Sequence, residues 1–533
     1  MLLKLVMLLM QVFEGSKLLK LAKSKLGITV ESVVLGALAS CALAPFEIWP
    51  CMIIAMVFFM LLNSALKTKK AVFFTTLLFY ASYAIFSLDW LNFVMEDFGQ
   101  MPKALSQTVV IAFSIFYLAL PYAIFNVIAY VAAGKKVAVH IFFFMPIAFI
   151  AADFYVTYML TGFPWLIQGY ACVLGPLKNY APLIGVYGIS ALIYILSASI
   201  ALSALRQFLY LPVAALILVI AILTEGISFT HQDEKSLKVL MVQGNIEQSV
   251  QNNGTSAGEI FNIYWDETLK HTNQKDLIIW PESAIPAIYE YQKDFFESLN
   301  QSFYDQKLNL VTGIFSKDQK DRKLYNAMIV FGNDNNLDSS PLYQKQALVP
   351  FGEVVPFGDF LRQFGSIFVI PNSSFDYGSK NQKALIVGDH VFLPSICYET
   401  IFASILRKLD SAEACGIILI SNDSWFGPTK APKQHLNIAL MRVLELQKPM
   451  LRSTNSGISA YINEKGEVKK TLAQDVKASL EVDFTGWQGQ TPYSRFGNLG
   501  VLIILALLLG FGIYARFKKE DELDSQINKL IRP

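Results

Sequence analysis

The feature that most constrains this chain is a series of apolar runs, each long enough to cross the hydrocarbon core of a bilayer as a helix of about 20 residues. They predict helices at 28–44, 48–66, 71–90, 107–132, 137–160, 183–205 and 208–227, and an eighth at 499–514. Hydrophobic residues make up 54% of the chain and charged residues 16%, and the net charge of +2 gives no basic surface typical of nucleic-acid binding. The sequence therefore predicts a multi-pass helical membrane protein.

A stretch of ordinary polar composition, about 230–495, separates the seventh apolar run from the eighth and is long enough to form its own core. Within it, β-rich runs at 237–243, 276–280, 308–315, 327–331, 391–396, 416–421 and 457–462 alternate with helix-compatible segments, which predicts a layered α/β domain. The predicted organisation is an amino-terminal segment at 1–27, a seven-helix membrane domain at 28–228, a soluble domain at 229–496, an eighth transmembrane helix at 497–515 and a tail at 516–533.

Basic residues are distributed unevenly among the loops. Lysines cluster before the first predicted helix, and lysines or Arg206 follow the second, fourth and sixth, whereas the intervening loops carry fewer. Because cytoplasmic loops carry the excess of positive charge, both termini are predicted to be cytoplasmic and the soluble domain to lie outside. Residues 1–13 lack a small-residue cleavage site, so we interpret them as an amphipathic helix on the cytoplasmic face rather than a signal peptide.

Three polar residues in the soluble domain stand beside apolar strands: Glu282, Lys345 and Cys397. Strand ends in α/β folds commonly present functional side chains. Together these groups can perform acyl transfer, since a cysteine attacks a carbonyl, a carboxylate takes and returns its proton, and an ammonium stabilises the oxyanion. The backbone N–H of Tyr398 is a second candidate oxyanion donor, and the lysine is expected to favour the thiolate over the thiol.

Each of these residues also has an ordinary structural explanation. A cysteine that ends an apolar strand is usually a small core residue, and we interpret Cys415 in that way. Likewise a glutamate after Trp-Pro is usually a solvated turn residue, and a lysine near Pro and Gly is usually a surface charge. The spacings between positions 282, 345 and 397 are not a motif by themselves. The five cysteines show neither a disulfide framework nor metal-ligand spacing.

The local sequences around the three residues together resemble the nitrilase, or carbon–nitrogen hydrolase, superfamily. WPES at 280–283 is similar to its glutamate motif, YQK at 343–345 with LVPFGE at 348–353 to its lysine motif, and ICYE at 396–399 to its cysteine motif. The order of the three also agrees. The resemblance implies an αββα sandwich inserted into a membrane domain of about eight transmembrane helices.

A resemblance to one branch, the apolipoprotein N-acyltransferases, covers most of the chain. It is carried by FPW at 163–165, QGY at 168–170, VQGNI at 242–246, SNDSWFG at 421–427 and the stretch from QH at 434–435 to LRSTNSG at 451–457. This resemblance implies that Glu282 is the general base and acid, Lys345 the oxyanion stabiliser and Cys397 the nucleophile. It further implies an orienting role for Glu353 and a site shaped by three more residues: Tyr398, Glu399 and Trp425.

The same resemblance implies a two-step reaction at the bacterial inner membrane, with the catalytic domain facing the periplasm. A phospholipid acyl chain passes to the cysteine as a thioester and then to the α-amino group of a diacylglyceryl-cysteine apolipoprotein, the final step of lipoprotein maturation. Neither a cofactor nor a metal is called for. Anchoring in the membrane suits a lipid donor, because bringing an acyl chain into water costs roughly 0.8 kcal/mol per CH₂.

Two departures from the family pattern bear on substrate binding. SVQNNG at 249–254 stands where the family usually has a Lys-Trp pair, so a lipid-contacting aromatic is expected elsewhere, at Phe261, Tyr264 or Trp265. Lys448 stands before proline where arginine is commoner. Phe163, Pro164, Trp165 and Tyr170, with the apolar run 348–351, either line a route for the acyl chain or, in the case of the aromatics at 163 and 165, form an interfacial belt.

Two other functions are compatible with parts of the sequence. A membrane-tethered amide or nitrile hydrolase would use the same trio and differ only in whether water or an amine resolves the acyl-enzyme. A transporter with an inert nitrilase-like domain would be expected to carry paired charges in its membrane helices. Ionisable residues in the apolar runs are few and lie isolated or near helix ends, which argues against transport: Glu31, Asp89, His140 and Asp153.

Overall fold

The computed structural model describes residues 25–134, 136–247, 257–271, 275–318, 320–355 and 375–518. The predicted amphipathic helix at 1–13, the segment 249–254 and most of the tail at 516–533 lie outside these residues. The chain divides into two compact units, one formed by Met1–Ile227 with Phe496–Pro533 and the other by Ser228–Arg495. Each unit is described by itself.

The first unit is helical. Its helices are α1 (Lys25–Ser40), α2 (Pro50–Ser64), α3 (Lys69–Ser87), α4 (Lys103–Ala133), α5 (Val139–Tyr158), α6 (Pro176–Ala204), α7 (Phe208–Leu223) and a carboxyl-terminal helix, Leu499–Phe517. Within the described residues, α3, α4, α5, α6 and the carboxyl-terminal helix are long and apolar enough to cross a membrane. The other three are apolar but shorter: α2, with 15 residues, is about 22 Å long.

Polar side chains inside the first unit connect neighbouring helices. Asn126 on α4 donates to Asn63 Oδ1 at 3.2 Å and to Thr76 Oγ1 at 2.8 Å, and its own Oδ1 lies 2.9 Å from His140 Nε2. The carboxylate of Asp153 accepts a hydrogen bond from the hydroxyl of a tyrosine on α4. Such bonds hold apolar helices together where water is absent. His140 and Asp153 thus both contact neutral polar groups that serve helix packing.

The aromatic residues that are expected to line a route for the acyl chain or to form an interfacial belt lie within this unit. Trp165 is 2% exposed, and its ring centroid lies 5.1 Å from that of Trp90 and 6.0 Å from that of Phe163. Tyr170 is also buried. Trp165 and Tyr170 therefore belong to the interior of the helical unit.

The second unit contains two six-stranded sheets. Its strands are β1 (Thr230–Gln243), β2 (Leu277–Ile279), β3 (Asn309–Lys317), β4 (Leu324–Phe331), β5 (Leu342–Gln344), β6 (Leu385–Val387), β7 (His390–Ile396), β8 (Ala414–Ser421), β9 (Met450–Thr454), β10 (Ala460–Ile462), β11 (Val468–Thr471) and β12 (Ala478–Gly489). The strand orders are β12-β1-β2-β3-β4-β5 and β11-β10-β9-β8-β7-β6. In each sheet the parallel pairs are central, β1-β2-β3 in one and β7-β8-β9 in the other, and antiparallel strands flank them.

The two sheets pack face to face through small residues. A side chain at Gly416 on β8 would stand 2.6 Å from the ring of Phe484 on β12, and that ring also packs on Phe392 at 5.3 Å. Gly486 leaves room for the side chain of Cys415, which is 1% exposed. The close approach of the sheets therefore depends on residues without bulk at these points.

Helices cover the sheets: α8 (Ala257–Leu269), α9 (Lys293–Asp305), α10 (Ala403–Leu409), α11 (Ala431–Leu446) and α12 (Pro492–Phe496). Side chains of α8 and α9 form a core with the first sheet around Trp280. Tyr264, with 0% exposure, stacks on Trp280 and belongs to this core. Phe261 and Trp265 are partly buried against the same core. Helix α10 packs beside β7.

Candidate active site

Three different strands place the predicted trio. Glu282 follows β2, Lys345 follows β5 and Cys397 follows β7 directly. The loop that carries Glu282 packs closely against Gly313 on β3. A Cβ at this position would stand only 2.5 Å from the backbone nitrogen of Ser283, so the close approach requires glycine. Lys345 Nζ lies 2.9 Å from Glu282 Oε1, and both charges act on the thiol of Cys397. The fold therefore gathers residues that are far apart in sequence.

Around the lysine, two carboxylates and one amide form a closed cluster. Lys345 Nζ donates to Glu282 Oε1 and to Glu353 Oε1, each at 2.9 Å. Asn326 Nδ2 donates to the same two oxygens, each at 2.8 Å. The side chain of Lys345 is 1% exposed and those of Glu282 and Glu353 are 7% and 14% exposed. The cluster is thus shielded from solvent screening.

The charges of this cluster do not balance within it, since one ammonium faces two carboxylates. Burial alone would lower the pKa of Lys345, but Glu282 and Glu353 outweigh that effect and hold the pKa of Lys345 well above its usual range. The lysine is therefore a permanent cation here. A fixed cation beside a nucleophile is the arrangement that stabilises a developing oxyanion.

Backbone amides fix the remaining carboxylate oxygens. Glu282 Oε2 accepts from the N–H of Asn422 at 2.8 Å, and Glu353 Oε2 accepts from the N–H of Val349 at 2.9 Å. With these bonds, each carboxylate is held at both oxygens by groups from separate segments. Little reorganisation is then required when charge moves during a reaction.

Cys397 is a protonated thiol at rest. Burial, followed by the charge of Glu282, raises its pKa, and the opposing effect of Lys345 is smaller. Lys345 does favour the thiolate, as expected, but burial and the charge of Glu282 outweigh its effect on the pKa of Cys397. Because only the thiolate form of a cysteine is a strong nucleophile, any attack by this thiol requires a base that removes its proton.

Glu399 connects the cysteine strand to the lysine segment. Its Oε2 accepts from the backbone N–H of Ile396 at 2.8 Å, and its Oε1 accepts from the hydroxyl of Tyr343 at 3.0 Å and from the backbone N–H of Gln346. Burial raises the pKa of Glu399 to about 7, against the lowering effect of these bonds. Glu399 therefore holds the segments on both sides of the site together.

The other predicted site residues lie next to this cluster in sequence. Tyr398 follows the cysteine and is 6% exposed, with its ring 5.5 Å from that of Phe402. Trp425 is half-buried in a 3-10 turn, Asp423–Phe426, directly after the Asn422 amide that binds Glu282. Their roles towards a substrate stay predictions.

The sequence pattern did not indicate the buried contacts of three residues: Asn326, Asn422 and Lys448. Asn326 is a single polar residue near the start of the apolar strand β4. Asn422 contributes its backbone N–H, a group that every residue except proline carries. Lys448 stands where the family more often has arginine. Its ammonium donates to the carbonyls of Ala414 and Gly489 and forms an ion pair with Asp410 at 3.4 Å. Two hydrogen bonds to carbonyl groups and an opposite charge thus compensate the buried ammonium of Lys448.

Comparisons with known proteins match the two parts of the chain to two families. Residues 35–199 match the family described as the apolipoprotein N-acyltransferase N-terminal domain, and residues 243–487 match the carbon-nitrogen hydrolase family. The solved carbon-nitrogen hydrolase from Helicobacter pylori G27 aligns with 56% of this chain and 99% of its own, at 14% identity and a TM-score of 0.34. The two family matches thus define a carbon-nitrogen hydrolase domain, residues 243–487, in a chain that also carries the amino-terminal domain of an apolipoprotein N-acyltransferase.

Sequence relatives define the branch. An apolipoprotein N-acyltransferase of Pasteurella multocida is 31% identical over 93% of this chain and 98% of its own length. One of Haemophilus influenzae is 32% identical over 90% and 93%, and one of Wigglesworthia glossinidia brevipalpis is 34% identical over 90% and 96%. The chain belongs to the apolipoprotein N-acyltransferase family and is an acyltransferase.

Proposed function

We propose that this protein transfers a fatty acyl chain from a membrane phospholipid to the α-amino group of a diacylglyceryl-cysteine at the amino terminus of an apolipoprotein. The observation that carries the proposal is the buried cluster of Glu282, Lys345 and Glu353 beside the thiol of Cys397, in a chain of this family. The cluster supplies a base and an oxyanion stabiliser, and Cys397 supplies the nucleophile.

In the first half-reaction, Glu282 takes the thiol proton as Cys397 Sγ attacks the ester carbonyl of the phospholipid. The S–C bond forms, and the carbonyl oxygen becomes an oxyanion that Lys345 stabilises. When the oxyanion collapses, the C–O ester bond breaks and Glu282 gives the proton to the departing lysophospholipid oxygen. The products are a thioester on Cys397 and a lysophospholipid.

In the second half-reaction, the α-amino group of the acceptor attacks the thioester carbonyl. The N–C bond forms, Glu282 takes a proton from the amine, and a second oxyanion again faces Lys345. Collapse breaks the C–S bond, and the proton returns to the sulfur. Glu353 shares Lys345 with Glu282 and is proposed to orient the ammonium in both steps.

We further propose that the protein resides in the bacterial inner membrane with eight crossings. The five long apolar helices, together with α1, α2 and α7, supply them. An even number of crossings agrees with two cytoplasmic termini, and the lysine-rich loops favour that orientation. The domain at 229–496 is then periplasmic, on the side where a lipoprotein acceptor is found.

Mass spectrometry of the intact protein tests the thioester. Incubated with phospholipid but no acceptor, the wild-type protein should gain one acyl mass, and it should lose that mass to a diacylglyceryl-cysteinyl peptide with a free amino terminus. Cys397→Ala should show neither event. Cys415→Ala is the matched control and should behave as wild type, because Cys415 packs between the two sheets.

Two outcomes would contradict the proposal. Release of free fatty acid without transfer to the peptide would indicate a hydrolase. Acylation that persists in Cys397→Ala would exclude this cysteine as the nucleophile.

A further inference from the structure

The backbone of the proposed nucleophile is strained. Cys397 has a φ of 51°, in the left-handed region that non-glycine residues rarely adopt. The residue ends β7 and begins a 3-10 turn, Cys397–Ile401, so the chain changes direction at the thiol. Such a conformation persists only where surrounding contacts hold it.

One contact of this kind reaches the carbonyl group of Cys397. His435 Nε2 lies 3.2 Å from that carbonyl oxygen, and the His435 side chain on α11 is 1% exposed. A carbonyl oxygen can only accept a hydrogen bond, so this contact requires a proton on Nε2.

A guanidinium behind the ring favours that tautomer. Arg452 Nη2 lies 3.2 Å from His435 Nδ1, and because a guanidinium only donates, Nδ1 is the acceptor. Asp423 holds this guanidinium in place, since it accepts from Arg452 Nη2 at 2.6 Å, and it also accepts from Ser421 Oγ at 2.6 Å. Its Oδ1 lies 3.3 Å from His435 Nδ1 and would accept from that nitrogen only in the opposite tautomer, so the two shorter contacts, Arg452 to Nδ1 and Nε2 to the carbonyl, carry the assignment. Burial and the Arg452 charge lower the pKa of His435, so the ring is neutral.

We propose that His435 is a positioning residue for the nucleophile. Its Nε2–H holds the carbonyl group of Cys397, and with it the left-handed backbone that keeps the thiol beside Glu282 and Lys345. Arg452, which can only donate to Nδ1, favours the tautomer that can donate this bond. The inference rests on the proposed function in that it takes Cys397 as the attacking group.

Two substitutions at this position separate a positioning role from a packing role. In His435→Gln the amide nitrogen can occupy about the place of Nε2 and donate to Cys397, whereas in His435→Asn it reaches only about the place of Nδ1. Both variants remove the ring and should be destabilised to a similar degree. Their difference therefore reports the hydrogen bond.

The measurement is the rate at which iodoacetamide alkylates Cys397 in the full-length protein, read by peptide mass spectrometry, with thioester formation from phospholipid as a second readout. His435→Gln should stay within about threefold of wild type, whereas His435→Asn should be about tenfold slower, as expected for loss of one hydrogen bond. Alkylation needs no lipid, so it tests the inference even if the thioester proposal fails.

Equal rates in both variants would overturn the inference, whether those rates are normal or reduced. If His435→Asn does not fold, His435→Met takes its place, since its side chain is as long as that of glutamine and cannot donate to the carbonyl of Cys397. A folded Met variant should react about tenfold slower than the Gln variant. Equal rates in the Met and Gln variants, or a folded Gln variant of normal Tm that reacts tenfold slower than wild type, contradict the role.

Discussion

Replacing Lys345 with methionine removes the ammonium that Glu282 and Glu353 share and leaves a side chain of similar length. Two buried carboxylates then keep only the amide of Asn326 between them. Breaking a buried ion pair by removing one partner costs about 3–5 kcal/mol. Each carboxylate retains a backbone N–H at its other oxygen, so we expect the lower end, about 3 kcal/mol.

Thermal unfolding of the full-length protein in detergent measures this cost. For a domain of this size, about 3 kcal/mol corresponds to a Tm lower by roughly 6 °C or more near neutral pH. The oxyanion also loses its donor, which is typically worth about 3 kcal/mol in the acylation barrier.

A double variant provides the control. Lys345→Met with Glu353→Gln removes one negative charge, so it should recover much of the lost Tm while acylation stays slow. If Lys345→Met melts at the wild-type temperature near neutral pH, or if the double variant is no more stable than the single one, the buried charge cluster does not exist as described.

Three further predictions follow from the site and the topology. Because burial raises the folded-state pKa of Glu399 from about 4.5 to about 7, folding stability should fall by about 3 kcal/mol as the pH rises between these values, and Glu399→Gln should abolish that part of the pH dependence of unfolding. Because the pKa of Cys397 is raised, its alkylation rate in the wild type should still be rising at about pH 8.5, where an unperturbed thiol is half ionised, and a plateau below that pH would contradict the resting thiol. A cysteine placed at exposed Lys380 should react in intact spheroplasts with a reagent that cannot cross the membrane, and labelling only after lysis would reverse the proposed orientation.

The strands show where local sequence is sufficient and where it is not. The apolar runs at 276–280 and 391–396 are strands because continuous apolar residues suit a parallel, doubly covered sheet. The run at 457–462 becomes a strand only from Ala460. Strand β9 escaped prediction because a buried arginine, Arg452, interrupts its apolar pattern, and β12 because its alternating charges resemble an exposed segment.

The sequence by itself determined the apolar helices, the polar insert and the trio of Glu282, Lys345 and Cys397, since hydropathy and short motifs are local properties. Only the tertiary structure decided which groups surround that trio. Asn326 comes from β4, and its sequence context does not indicate a site. His435 on α11 belongs to a stretch that carries the family resemblance, but only the fold brings it to the carbonyl group of Cys397. The protonation of Cys397 also needed the structure, because it depends on burial and on the distances to charges brought by other strands.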